Sequence, residues 1–539
     1  MAEGRFRQNY ENEYHQLDDI NSYVELIPNL ETDFEQVEAI THQNTSRICL
    51  KTVVISVLLV AVVGFVTMTV LYIQERSKRQ NENDRETNGQ NQKTVVCSND
   101  PFKGMNYTTA GKTGIQGRQF LVCFTDNLNM ASDETKTIYI LSDGDFEFKL
   151  ISTFSTELFN EVVTPRKNVR EISITSAISL SDFKIEEKAL LIETSRDVSI
   201  IIIDNYIHTS DSTSILPIKS TSNSYVISTP GALSKTTGPQ FAIASRRNST
   251  TIKIHFQFDP DLPKKVNGIT YQNGSVMNLV LNELETYEIY HRVDMSGTFI
   301  DSTSPVAVFS GSYCTEIGFK NSTDFGSCSK LDEQLPPINR LDKMYIVPPN
   351  YNRMGTVLKI VSPFQTRLTY KIGNKQTEKI LKPRGYFEIT FSDKEVVVID
   401  SEKPVLVTSF ATGSSETGNP YMITVPGIRQ YTDKYLVMVP GDFKESYVAI
   451  IVEEKSLINL MLNETKIIHY LNDGKFYNTV TLWNINFAVV VLQVQGGFLR
   501  VESTNNAAFG LIVYGHRRRD GHGFAGKSVL PDVCVPSNK

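Results

Sequence analysis

Apolar positions along the chain follow three successive regimes. Residues 1–50 carry scattered apolar side chains with no period. Thr52–Ile73 is an unbroken run, TVVISVLLVAVVGFVTMTVLYI, bounded by charged flanks. From Cys97 onward, short Val/Ile/Phe/Tyr runs alternate with Ser/Thr/Asn/Gly turns, as in residues 119–124, 137–141, 198–203, 251–256, 306–309 and 396–399. Runs of that length between turn signals read as β-strands. No sustained helical period competes with them, so the body is predicted to be all-β and built of sandwiches.

The strand pattern repeats. A polar or charged step precedes an apolar strand, then comes an apolar-Pro step, then a Tyr-containing strand that often ends in Pro. Residues 197–202, Leu216-Pro217 and Tyr225–Pro230 form the first instance. Pro305–Ser310, Leu335-Pro-Pro337 and Tyr345–Pro349 form the second, and Pro404–Phe410, Val425-Pro426 and Tyr435–Pro440 the third. A worn fourth copy has Ala507–Tyr514 and Leu530-Pro531. Strand starts at 197, 305, 404 and 507 step by 108, 99 and 103 residues. A period near 100 is one sandwich rather than one propeller blade. The reading is four tandem β-sandwich-like modules, at about 97–231, 232–349, 350–441 and 442–534, offering an extended contact surface. Earlier strands align too: residues 119–124 are matched to 240–245, 356–361 and 447–452.

The 22 uncharged residues Thr52–Ile73 reach about 33 Å as a helix, enough for a hydrocarbon core. A polar segment of 50 residues precedes them, so residues 51–73 read as a transmembrane signal anchor and not a cleaved leader. Charge divides at the same place. The first 50 residues hold ten acids and three arginines, a net of −7, which against −6 overall leaves about +1 for the rest. Residues 1–50 are expected to be a disordered acidic tail. In it, Tyr14-His-Gln-Leu17 and Tyr23-Val-Glu-Leu26 fit the Tyr-x-x-apolar pattern of clathrin-adaptor sorting signals, against the plainer alternative of a solvated tail. Tyr10-Glu-Asn12 resembles a phosphotyrosine motif, and Cys49 sits where palmitoylation occurs. Residues 74–96 read as a flexible polar stalk. The overall balance argues against a nucleic-acid partner.

The body resembles a known family. Pro305-Val-Ala-Val-Phe-Ser-Gly-Ser-Tyr-Cys314, Cys328-Ser-Lys-Leu-Asp-Glu333-Gln-Leu-Pro-Pro337 and Tyr345-Ile-Val-Pro-Pro349 look like the signature of the IgGFc-binding protein N-terminal domain family. Gly117-Arg-Gln-Phe-Leu-Val and Tyr514-Gly with Gly521-His-Gly-Phe-Ala-Gly526 fall in the expected order. The resemblance implies a secreted or surface-exposed binding protein, with Fc binding known for one mammalian member. It also implies that Cys314 pairs with Cys328, a closure worth about 3 kcal/mol in a chain-entropy model.

Orientation carries a conflict. Arg47 and Lys51 flank one side of the run, and Arg76, Lys78, Arg79 and Arg85 the other, so basic residues alone would place the body in the cytoplasm. Sequons at Asn106, Asn248, Asn273, Asn321 and Asn463, five of six cysteines, and the resemblance favour an extracellular body at the plasma membrane. Cys97 and Cys534 lie at the two ends of the repeat array and could join them, with Cys97–Cys123 the rival. Cys123, inside an apolar strand, is the candidate buried thiol.

Catalytic signatures are missing: no His-Glu-x-x-His, Cys-x-x-Cys, P-loop or Gly-x-Ser-x-Gly occurs. No enzyme activity and no cofactor or metal is expected. His516-Arg-Arg-Arg-Asp-Gly-His522 reads as an exposed basic loop, Asp143-Gly-Asp145 as a hairpin turn rather than a calcium site, and Trp483 as a core residue rather than a ligand platform. The expected function is cell-surface recognition or adhesion through an extracellular protein or glycan ligand, with a structural matrix role as the alternative.

Overall fold

A computed structural model describes residues 117–127, 135–154, 159–163, 168–205, 209–231, 234–236, 238–318 and 328–526. The tail, the apolar run, the stalk, Cys97, Cys534, Asn106, Asn321 and the motifs at Tyr14, Leu17, Tyr23 and Leu26 lie outside these residues. Among the described residues no helix is long and apolar enough to cross a membrane.

Among the described residues the body is all-β, with only short 3-10 turns between strands. Its sheets fall into four consecutive groups, and each is organised by one long strand serving two sheets. In the first group this is Leu190–Asn205. Its first half pairs with Gly117–Val122 and Phe146–Ile151, its second half with Thr135–Leu141 and Asp211–Ile215. Phe299–Ile317 does the same in the second group and Val397–Ala411 in the third. In the fourth the long strand is interrupted, as Gly497–Ser503 and Phe509–Arg517. The two sheets of a group face each other: Phe120 and Ile192 from one and Ile138 and Ile202 from the other share one core.

The polar steps in the repeat are the crossovers. Ser195, Arg196 and Asp197 are exposed where the first long strand passes between sheets. Pro305 and Pro404 stand at the same point, where no ladder bond is needed and a missing N–H costs nothing. The repeat therefore starts at the second half of the first three long strands, the separate run at 396–399 falling on the first half of the third.

The tyrosine strands differ from expectation. Ser222–Val226, Asp342–Val347 and Lys434–Val439 were read as module ends, yet each pairs with the long strand that follows it. Each tyrosine makes the same buried tie. Its hydroxyl accepts the N–H three residues upstream and donates to a carbonyl just past the crossover. The partners are Ser222 and Val306 for Tyr225, Asp342 and Val405 for Tyr345, and Thr432 and Phe509 for Tyr435. Burial pushes all three phenols up. Register places Phe120, which pairs with Ile192 while Gly117 pairs with Val198, at the equivalent position of the first group. Residues 119–122 thus correspond to the tyrosine strands. Thr135–Leu141 is the true counterpart of residues 240–245, 356–361 and 447–452, because it pairs with the second half of the long strand. Short apolar strands of like length are indistinguishable by pattern; pairing separates them.

The groups do not run in an open row. The strand after each long strand, Asp211–Ile215, Ser329–Gln334, Met422–Thr424 and Asp520–Ala525, is buried at a shared centre. Asp211–Ile215 lies between the second and fourth groups. On one side Thr209, Asp211 and Thr213 accept the backbone N–H groups of Lys330, Asp332 and Gln334 at 2.9, 3.0 and 3.2 Å. On the other, Ser210 meets the Asp520 carboxylate at 3.0 Å, Ser212 meets His522 Nδ1 at 3.2 Å, and Ser214 donates to the Ala525 carbonyl at 2.7 Å. The third group closes the cycle. Met422 packs with Leu331, while Tyr421 and Ile423 pack with Ala525. Gly523 is required there, since a Cβ would stand 2.6 Å from Tyr421 and 2.9 Å from Ile423. The contacts close on themselves, in place of the extended array the sequence implied.

Replacing Tyr225, Tyr345 or Tyr435 with Phe removes the hydroxyl and leaves a buried N–H and C=O without it. Each variant is expected to lose about 1–3 kcal/mol in chemical denaturation.

Candidate functional site

The cysteine-bounded signature is the densest constellation in the sequence. Every residue of Ser329–Gln334 is buried. Lys330 Nζ donates to the Thr125 carbonyl at 2.7 Å and pairs with Asp204, which also holds Lys136 at 2.6 Å. Thr125 Oγ1 donates to Asp332 at 2.9 Å, Thr213 Oγ1 to Glu333 at 3.1 Å, and the Leu216 N–H to Gln334 Oε1 at 2.6 Å. Burial alone would raise the Asp204 carboxyl, but the two lysines overcome it and hold it at about 2. Paired charges buried this completely fix geometry and cannot be reached by a ligand. The block therefore joins the first group to the second.

Cys314 and Cys328 form a disulfide with their Cα atoms 5.2 Å apart. Cys123 is a buried free thiol, pushed up by burial and by Asp332 and Glu288, while Cys97 lies outside the described residues.

Other candidates separate into interior and surface. His516 and His522 are buried, so only Arg518 and Arg519 form an exposed basic turn. Arg517 pairs with Asp520 at 2.8 Å. Burial is the main cause depressing both imidazoles, His516 to about 4 and His522 to about 3. Asp143 sits in a hairpin turn and pairs with Lys434 and Arg500 of the fourth group, a structural use of a residue that could have suggested calcium. Among the described residues no three His, Cys, Asp or Glu side chains are grouped to hold a metal.

Trp483 departs from the expected core position. It is 48% exposed at the tip of the hairpin joining Phe476–Leu482 to Ile485–Val494. Trp483 and Asn484 have φ of 51° and 62°, the left-handed pair of a two-residue turn. The indole hydrogen-bonds to Asp400 of the third group. Apolar neighbours misled the sequence reading: Leu482 and, in part, Ile485 pack into the core while the turn between them stays outside.

An open polar cleft of about 450 Å³ crosses from the second group to the third, lined by Gln257, Asp259, Asp261, Asn273 and Arg384. Its polar groups are engaged with one another. Gln257 Nε2 donates to the Arg384 carbonyl at 3.1 Å, Tyr386 donates to Asp259 at 2.7 Å, and the Asn273 N–H donates to Asp261 at 3.1 Å.

Three sequon asparagines are described, and all are exposed. Asn248 and Asn463 use only Oδ1, accepting the N–H of Glu283 at 3.1 Å and of Arg500 at 2.9 Å. Asn273 uses both amide ends on Phe258: Oδ1 accepts its N–H and Nδ2 donates to its carbonyl at 3.0 Å.

The family model of the IgGFc binding protein matches residues 211–515, more than half of the chain. The chain belongs to the IgGFc-binding protein family. The match opens on the first residue of the buried strand Asp211–Ile215 and takes in the signature block. Human IgGFc-binding protein is 24% identical over 426 residues, covering 77% of this chain and 8% of the relative. Among solved structures, a calcium-stabilised adhesin with which an Antarctic bacterium binds ice is 9% identical, covering 76% of this chain and 98% of that one, at a TM-score of 0.10. A 1.5-MDa bacterial ice-binding adhesin is 9% identical with 57% and 98% covered, at 0.09. At those scores neither adhesin informs fold or function.

Two predictions follow from this geometry. His522 has a folded-state pKa near 3, below its ordinary value of 6.5. The unfolded chain thus takes up a proton below about pH 6.5 that the folded chain refuses, and the stability present above that pH is lost as pH falls towards 3. Asp182, raised to about 7 chiefly by burial, acts in the opposite sense. The comparison must therefore be with His522→Gln, which should lose less stability than the parent between pH 7 and pH 5 in parallel urea titrations. Peptide mapping of protein from a secretory host should find lower glycan occupancy at Asn273 than at Asn248 or Asn463, because a glycan replaces an amide hydrogen and Asn273 already commits its amide to Phe258.

Proposed function

We propose that the chain is a type II single-pass glycoprotein of the plasma membrane whose β-rich body binds an extracellular protein or glycan. Family membership carries this reading. The apolar run at Thr52–Ile73 and the exposed sequons agree with it. We further read the four strand groups as sandwich modules divided at Leu216-Pro217, Leu335-Pro-Pro337 and Val425-Pro426. A disulfide between Cys97 and Cys534 would reinforce a closed cycle, and the tail motifs at Tyr14–Leu17 and Tyr23–Leu26 would serve clathrin adaptors.

The relative is named for the Fc part of IgG. Immunoglobulin is accordingly the first ligand to test, and an uncharacterised extracellular protein or glycan the second. Trp483 is the side chain on which we place recognition: a half-exposed aromatic, fixed by Asp400, has the rigidity and area that dominate binding interfaces.

The full chain, displayed on intact cells, should be shaved by added protease without permeabilisation. It should also bind labelled IgG or a labelled extracellular fraction saturably. Trp483→Ala should weaken binding at least tenfold with unchanged surface level. Protection until permeabilisation inverts the topology, and self-association without saturable ligand binding favours a matrix role.

A further inference from the structure

One sheet edge stands out among the strands at the ends of the sheets. Val276–Leu281, VMNLVL, is the terminal strand of the nine-stranded sheet, paired only through Thr250–His255. It has no charge and no proline. Val276 and Val280 are 41% and 49% exposed on its outer face, while Met277 and Leu281 enter the core. A six-residue apolar edge of this kind is a template for pairing with another chain, and proteins ordinarily blunt it with charge. The corresponding edge of the third group, Lys375–Leu381, carries Lys375, Glu378 and Lys379. The second group's edge lacks that protection.

Sequons stand at both ends of this strand. Asn273 precedes Val276 by three residues in the Gln272–Ser275 turn. Asn248 lies at the other end: its side chain is exposed, and its Oδ1 holds the N–H of Glu283, two residues past Leu281, with no partner for Nδ2 among the described residues. The strand is about 20 Å long at the usual rise, a span that a branched oligosaccharide anchored at its end can sweep.

We propose that an N-glycan on Asn248 guards the Val276–Leu281 edge against pairing with a second copy of this chain. The glycan supplies the hydrophilic cover that charged side chains supply on Lys375–Leu381. Asn273, whose amide is committed to Phe258, contributes less. The proposal rests on the extracellular placement of the body.

The test uses two differently tagged full-length copies in one cell. Glycosidase treatment of the parent should shift its mobility, and loss of one glycan in Asn248→Gln should be visible by mass. Co-capture of the second tag should rise at least threefold for Asn248→Gln. It should rise likewise for the parent after enzymatic trimming to a single sugar, which leaves the fold and the asparagine in place. Adding Val280→Lys to Asn248→Gln should return co-capture to the parental level. No mobility shift on any sequon overturns the extracellular placement itself. An occupied Asn248 whose loss or trimming leaves co-capture unchanged overturns the guard alone, as does an increase that survives Val280→Lys.

Discussion

The fold depends on satisfying one short buried strand from two sides. Asp211–Ile215 has almost no apolar surface of its own, yet it stands inside the body with every residue covered. An unpaired buried hydroxyl or carboxylate costs more than the hydrogen bond it would have made. Each must therefore be answered, and alternation along a strand sends the answers in two directions. Thr209, Asp211 and Thr213 look to the second group, Ser210, Ser212 and Ser214 to the fourth. A row of sandwiches could satisfy one face only. The polar strand thus demands the closed cycle of contacts, and the cycle in turn lets polar residues be buried safely. Removing any one partner strand would leave a set of groups unanswered at once, so stability is shared among the groups rather than held in each separately.

Two devices let each group present its strand to that centre. The long strand serves both sheets, so the crossover sets the angle between them. The tyrosine hydroxyl then fastens the crossover by bridging the N–H at the start of one strand to a carbonyl of the other. Phe120 can make neither bond. The first group instead has Thr194 Oγ1 donating to the Arg196 carbonyl at 2.7 Å within its own crossover. The seams add buried charge: Lys359 donates to the Thr229 carbonyl and to Asp294, both at 2.6 Å, between the second and third groups. Such pairs contribute more to fixing register than to net stability.

These features differ in how far the sequence discloses them. The all-β class and the period near 100 residues are legible because alternation and turn chemistry are local properties. Assignment of a strand to its neighbour is not, since the tyrosine strands read equally well as ends or beginnings. Thr209–Ser214 looks like a turn by composition; only its strict alternation of Thr/Asp with Ser, invisible without knowing two partners exist, marks a strand buried on both faces. Trp483 fails for a related reason: apolar flanks suggest a core, but the two-residue turn at Trp483-Asn484 reverses the chain between Leu482 and Ile485. The buried histidines were hidden by three intervening arginines, of which only Arg518 and Arg519 face solvent.

The placement of the signature changes what family membership can mean for recognition. The Lys-Leu-Asp-Glu-Gln block is specified by its partners Thr209, Asp211, Thr213, Thr125, Asp204 and Leu216, all inside the body. A residue constrained in this way reports the architecture, and a protein sharing it can bind something different from its relatives. On the proposed reading, ligand choice resides in what the closed cycle leaves outside: hairpin tips such as Trp483 and the basic turn at Arg518 and Arg519. Outside the tail, charges of the two signs are balanced. The −7 of the first 50 residues leaves the rest of the chain near neutrality, and Lys136, Lys330, Lys359 and Arg353 are spent within the interior. A near-neutral outer surface gains little from long-range steering. On the proposed reading its selectivity comes from close shape and aromatic contact, which is the kind of contact that a rigid hairpin tip provides.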